Sequence, residues 1–191
     1  VTDIIRGDDH LTNAARQFQI YNAMQWKAPR TSHIPLIHGI DGNKLSKRHG
    51  AMAIGDYKNM GYLPETIVNY LVRLGWSYGN QEFFTISEMI DLFKIEKVNK
   101  SPSRLDFKKL TNMNSSYIKN KDNNDILTII KSYHQELGAD LSDKNIDSKI
   151  LMITSSLKEK SKTTNDLITL SSYLITNDPI VISNELLDTF K

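Results

Sequence analysis

An α/β segment followed by an all-α segment is the fold class this sequence predicts, on three observations. Residues 1–60 alternate short apolar runs with one amphipathic stretch, the pattern of strands joined by a helix. From Gly61 onward the apolar residues recur at three- and four-residue spacing. Residues 122–191 hold no strand-like alternation and no glycine-rich turn, which points to a helix bundle.

The elements follow in order. Residues 1–5 read as a buried strand, with Gly7 permitting a tight exit. Asp8 or Asp9 can cap a helix reaching about Met24, whose apolar set is Leu11, Ala14, Ala15, Phe18 and Tyr21. Pro29 ends it, and residues 33–40 read as a second strand. Pro64 suits the first turn of a helix with Ile67, Val68, Tyr70, Leu71 and Leu74 on one face, closed by Gly75. Thr85 and Glu88 have capping-box spacing and open a helix through Phe93. Ser101-Pro102-Ser103 reads as a turn, and a short helix spans about 105–110. Residues 120–124 are the linker candidate, and helices are expected at about 123–137, 144–158, 164–176 and 183–190.

The chain has 191 residues, enough for one large domain or two small ones with a real core. Its 39% apolar and 24% charged residues fit a globular chain. No apolar run approaches the roughly 20 residues that span a bilayer. Cysteine is absent, which excludes disulfides and thiolate metal sites within these residues and fits a reducing compartment. The five histidines show no metal-ligand spacing.

The net charge of +2 does not by itself announce a nucleic-acid partner, but the basic residues cluster. One cluster is Lys44, Lys47, Arg48 and His49; a second runs from Lys94 to Lys109; a third is Lys158, Lys160 and Lys162. Each can equally be a solvated helix face. The chain starts on an apolar run without Met and ends inside a helical pattern, so both ends read as cut from something longer.

Two stretches carry chemistry. Asp41-Gly42-Asn43-Lys44-Leu45-Ser46-Lys47-Arg48-His49-Gly50 places cations and a hydroxyl between glycines. Such a loop can wrap charge around a polyphosphate and stabilise charge that develops on its oxygens. An incidental basic loop is the alternative. In Ile4-Ile5-Arg6-Gly7-Asp8-Asp9-His10, Arg6 leaves a strand end and could grip a carboxylate bidentately. The alternative is that Asp8 and Asp9 only cap the next helix while Arg6 pairs with one of them.

Together the motifs resemble the bacterial glutamyl-tRNA synthetases, class I aminoacyl-tRNA synthetases. The likeness runs through Ile4-Ile5-Arg6-Gly7-Asp8-Asp9-His10-Leu11 and Arg16-Gln17, then His33-Ile34-Pro35-Leu36-Ile37-His38-Gly39, then Lys44-Leu45-Ser46-Lys47-Arg48. It continues through Gly61-Tyr62-Leu63-Pro64-Glu65, Arg73-Leu74-Gly75-Trp76-Ser77 and Lys100-Ser101-Pro102-Ser103-Arg104 to residue 118. Beyond that it fades to a helical pattern.

The resemblance implies the C-terminal half of a Rossmann-type catalytic domain over 1–60, a helical stem-contact region over 61–118 and an incomplete helical anticodon-binding region over 119–191. It implies ATP-dependent attachment of glutamate to tRNA(Glu) through a glutamyl-adenylate. Lys44, Ser46, Lys47 and Arg48 would be the catalytic loop, and Arg6 would bind the glutamate substrate. Asp9, His10, the main chain of Leu36 and Ile37, and Lys47 would meet ATP, which carries Mg2+; no zinc ligands are expected in this segment. The partners would be tRNA(Glu), glutamate and ATP, in a cytoplasmic monomer without a membrane. A HIGH-type ATP motif is missing from the sequence, so the chain alone is expected not to aminoacylate. A non-catalytic tRNA-binding or regulatory fragment is the alternative from another class. A glutaminyl-tRNA synthetase is a third reading, against which the helical residues 122–191 count.

Overall fold

The computed structural model describes residues 1–39, 41–45, 53–143 and 145–175. The chain is a mixed fold with many helices and few strands, and it divides into two compact units. The first takes Val1–Gly55 and Pro64–Leu110; the second takes the described residues of Asp56–Leu63 and Thr111–Lys191.

The first unit opens with β1 (Asp3–Gly7), a 3-10 turn at Asp8–His10, α1 (Leu11–Ala23) and β2 (Arg30–Ile34). β1 and β2 pair in parallel, from Asp3 against Arg30 to Gly7 against Ile34. Parallel strands need a crossover, and α1 supplies it. Three expectations are corrected here. The strand is not buried: Ile5 is 59% exposed, because this sheet has only two strands among the described residues. Of the apolar set on α1 only Ala14 is buried, while Leu11, Phe18 and Met24 are exposed. Neither Asp8 nor Asp9 caps α1, whose N-cap is His10 without a side-chain cap bond. The Asp9 carboxylate takes the Lys44 ammonium instead, a stronger partner than a neutral N–H.

The strand expected over 33–40 is two pieces. Pro35 lacks an N–H and cannot continue the ladder beyond Ile34. β3 (Ile37–His38) belongs to a second sheet, paired in parallel with β4 (Ser103–Arg104). The expected turn at 101–103 thus ends as a strand. The Leu105 N–H donates to the His38 carbonyl at 2.9 Å, tying the two ends of the unit together.

A short helix, α2 (Ile54–Asn59), was not foreseen from the sequence. α3 (Pro64–Gly75) starts on its proline as expected. It buries Thr66, Asn69 and Tyr70, while Val68 and Leu71 stay exposed. Asn69 holds the following loop, its amide donating to the Glu82 carbonyl and accepting from the Phe84 N–H, both at 2.8 Å. Trp76 packs with Phe84 and Met89. α4 (Ile86–Leu92) opens with the reciprocal Thr85–Glu88 capping box. α5 (Phe107–Asn120) begins in this unit and gives most of its length to the second.

The second unit is a helix bundle. α6 (Asn123–Glu136), α7 (Ile146–Lys160) and α8 (Thr164–Ser171) pack on one another. Ile126 and Ile130 from α6, Ile150 and Leu157 from α7, and Leu167 from α8 form the core with Ile118 and Leu63. Helical spacing puts these residues on inward faces, as expected. The expected linker at 120–124 is a tight helix-to-helix turn. Asp122 caps α6 by accepting from the Asn124 N–H at 2.7 Å. The Lys158 ammonium turns onto this junction, donating to the Lys121 carbonyl and to Asn123 Oδ1. The helix expected over 183–190 lies outside the described residues. No helix among the described residues is long and apolar enough to cross a membrane.

His134 on α6 is buried, and its Nε2 has no hydrogen-bond partner. Burial pushes its pKa below the ordinary imidazole value, against an opposing hydrogen bond to the Ile168 backbone. The folded ring therefore favours the neutral state. As pH falls below about 6.5 the unfolded chain takes up a proton that the folded chain resists, so stability drops toward acid. Urea midpoints are expected to fall between pH 7.5 and 5.5, and His134→Leu should flatten that fall. An unchanged slope in His134→Leu would remove His134 from this role.

Candidate active site

The site forms in the first unit at the C-terminal ends of β1 and β2, where parallel α/β sheets place ligands. Arg6 lies next to last in β1, and its guanidinium has two neutral acceptors. Its Nε donates to His33 Nε2 at 3.3 Å, and its Nη2 donates to Gln17 Oε1 at 2.9 Å. Contrary to the sequence-level alternative, Arg6 does not pair with Asp8 or Asp9.

Gly7 follows Arg6 for a steric reason. A Cβ there would meet Asp9 Oδ1 at 2.6 Å and Leu36 Cδ2 at 2.9 Å, closer than packed atoms tolerate. The missing side chain lets Asp9 and Leu36 close over the strand end. Asp9 Oδ2 then accepts from Lys44 Nζ at 2.6 Å, an ion pair with both partners partly exposed. The Lys44 ammonium holds the Asp9 carboxyl below its usual range. His10 is exposed, with its Nδ1 3.1 Å from Asn13 Nδ2.

The root of the basic loop is a closed turn. Asp41 accepts from the Asn43 N–H at 3.1 Å and from its amide at 2.8 Å. The Gly42 N–H donates to Gly39 O at 3.0 Å, and Leu45 N–H donates to Ile37 O at 2.9 Å. Gly42 has φ +79°, a left-handed backbone that glycine adopts without strain. A Cβ on Gly42 would stand 3.7 Å from Arg104 Nη2, so β4 brings a further guanidinium to the loop root. A crevice of about 530 Å³ adjoins the end of β2, with Asp8, His33, Pro35, Glu96, Asn99 and Lys100 in its wall.

Of the residues selected from sequence, the structure places Arg6, Asp9, His10, Leu36, Ile37 and Lys44 in this one unit. It joins Asp9 to Lys44 and seats Leu36 beside Gly7 and Asp9. Ser46, Lys47 and Arg48 lie outside the described residues. Sequence reasoning missed Gln17, His33 and Arg104 as members of the site. The parallel register opposes Arg6 to His33 and His38 to Arg104, and no local motif announces either pairing.

Among the described residues no group of three or more His, Asp or Glu could hold a metal ion, and Asp9 is already engaged by Lys44.

Comparison with known proteins places the chain in a family. Residues 1–112 match the family model of class I tRNA synthetases (E and Q), catalytic domain. The chain is 49% identical over 185 residues to glutamate–tRNA ligase 1 of Beijerinckia indica subsp. indica, covering 94% of this chain and 39% of that protein. It is also 49% identical over 185 residues to glutamate–tRNA ligase 2 of Rickettsia akari, covering 97% of this chain and 40% of that protein. Among solved structures, it is similar to a glutamate tRNA ligase from Elizabethkingia meningosepticum in complex with its amino acid. That likeness has a TM-score of 0.79 at 29% identity and covers 99% of this chain and 40% of the other. The chain thus spans about 40% of the length of these relatives. With more than half of its residues inside the family match, the chain belongs to the class I tRNA synthetases (E and Q), catalytic-domain family.

Proposed function

We propose that this chain works as part of a glutamate–tRNA ligase. In the first step a glutamate carboxylate oxygen attacks the α-phosphate of ATP, the α–β phosphoanhydride breaks, and glutamyl-adenylate and pyrophosphate form. In the second, a ribose hydroxyl at the tRNA end takes the glutamyl group, and AMP leaves with the bond electrons. The substrate brings its own nucleophile, so the protein's task is positioning and electrostatic stabilisation.

Arg6 grips a substrate carboxylate. Lys44, Ser46, Lys47 and Arg48 close over the triphosphate. Asp9 and His10 border the ATP, and the main chain of Leu36 and Ile37 meets the adenine edge. Because Leu45 already donates to the Ile37 carbonyl, that contact falls to its second lone pair or to the other main-chain groups. Mg2+ enters with ATP as part of the substrate. Residues 1–60 act as the C-terminal half of the catalytic Rossmann-type domain, 61–118 lie along the tRNA stem, and 119–191 begin the anticodon-binding region. The working enzyme is a cytoplasmic monomer.

The observation that carries the reading is an arginine at a strand end whose side-chain acceptors are both neutral, leaving its charge for a substrate carboxylate. The names of the relatives support glutamate as that substrate. The test is charging of tRNA by the complete purified protein with labelled glutamate or glutamine. Glutamate transfer to tRNA(Glu) is expected, with glutamate-dependent ATP–pyrophosphate exchange slowed about a hundredfold in Lys47→Ala. No transfer, or transfer of glutamine in preference, would overturn the reading.

A further inference from the structure

We infer that Gln17 and His33 are positioning residues that aim the Arg6 guanidinium and keep its charge uncancelled, and so set the preference for a side-chain carboxylate over a side-chain amide on the substrate. This rests on the proposed reading of Arg6 as the substrate carboxylate's partner.

Three elements of one strand–helix–strand unit converge on this side chain. Arg6 of β1 and His33 of β2 are register partners, so their side chains stand next to each other on one sheet face. Gln17 comes from α1, the helix that connects the two strands. Arginine has no acceptor, so His33 must receive the Arg6 Nε proton on an unprotonated Nε2 and carry its own proton on Nδ1. Gln17 receives an Nη2 proton through its amide oxygen. Two of the five guanidinium protons are thus bound, and three remain for a ligand.

The choice of acceptors is the informative point. A carboxylate at either position would hold the guanidinium more strongly, but it would also neutralise it. Asp8 and Asp9 are near in sequence, yet no ion pair among the described residues engages Arg6, and Asp9 is drawn away to Lys44 at 2.6 Å. Neutral acceptors fix direction while leaving a full positive charge. Set against the substrate's side-chain end, that charge discriminates glutamate, whose side-chain carboxylate neutralises it on binding, from glutamine, whose side-chain amide does not.

Gln17 is exposed, so Gln17→Glu preserves size and acceptor geometry and should fold. A structural role predicts that this variant is neutral or more stable, with unchanged kinetics. A positioning role predicts that the new carboxylate competes with substrate for Arg6. The KM for glutamate should then rise about tenfold or more, with kcat nearly unchanged and the melting temperature equal or higher. The ratio of kcat/KM for glutamate over glutamine should fall in step. His33→Ala, which removes the Nε acceptor, should raise the same KM by about threefold to tenfold.

The experiment is steady-state charging by the complete ligase and by its Gln17→Glu, His33→Ala and Arg6→Ala forms, each with a melting curve. If Arg6→Ala leaves the KM for glutamate unchanged, the reading of Arg6 fails and this inference with it. If Arg6→Ala raises KM but Gln17→Glu does not, the inference alone is overturned. A KM rise in Gln17→Glu accompanied by a lower melting temperature also overturns it, because loosened structure then explains the loss.

Discussion

Replacing Asn114 by leucine is expected to destabilise the helical unit by about 3–5 kcal/mol, a large share of a domain's net stability. Asn114 is fully buried on α5. Its Oδ1 accepts from the Leu63 N–H at 2.9 Å, and its Nδ2 donates to the Lys162 carbonyl at 2.6 Å and to Gly61 O at 3.4 Å. One side chain thus satisfies main-chain groups from two segments distant in sequence. Leucine shares its branching but is bulkier, and it leaves the buried Leu63 N–H unpaired and the Lys162 carbonyl without its donor, which costs more than the hydrogen bonds contribute net. The surrounding junction cannot relax easily. Gly61 has φ +81°, and a Cβ there would stand 2.8 Å from the Asn165 backbone nitrogen. Thr164 N–H also donates to the Gly61 carbonyl at 2.9 Å. Urea unfolding followed by circular dichroism measures the effect; a loss below about 1 kcal/mol would show that other contacts hold the junction.

The second large effect is expected on catalysis. Arg6→Ala in the complete ligase should lower kcat/KM for glutamate by about a hundredfold to a thousandfold, mainly through KM. The substitution removes a charge-assisted, bidentate-capable partner and leaves the substrate carboxylate unpaired. Arg6→Lys should recover only part of the loss. A lysine ammonium is a point charge and cannot serve His33, Gln17 and a carboxylate in one planar arrangement. ATP affinity measured without glutamate should change little in both variants. A loss that appears equally in ATP binding would place the role of Arg6 in the fold of the strand end.

Much of this molecule is legible along the chain. Helices with strong local signals stand where the pattern puts them: Pro64 opens α3, Thr85 and Glu88 close a capping box on α4, and Asp122 caps α6. The reason is that caps and helical stripes are contacts over three or four residues, written within one segment. The expectations that failed concern competition between segments. Asp9 has a helix start beside it, but its carboxylate goes to Lys44, thirty-five residues away in sequence. Ser103 follows a proline in a turn-like string, yet it completes a ladder with Ile37.

The sequence alone determined that the first part mixes strands and helices, that the last part is helical, and that Arg6 and the Lys44 loop root are the places to look for anion chemistry. Those conclusions depend on residue type and short-range spacing, which the chain states directly. The tertiary structure decided which partners those groups take. Parallel register sets His33 against Arg6 and Arg104 against His38, and chain crossover brings Gln17 to the same guanidinium. Hydrogen bonds and ion pairs are won by whichever group the fold brings within about 3 Å, and sequence proximity does not settle that contest.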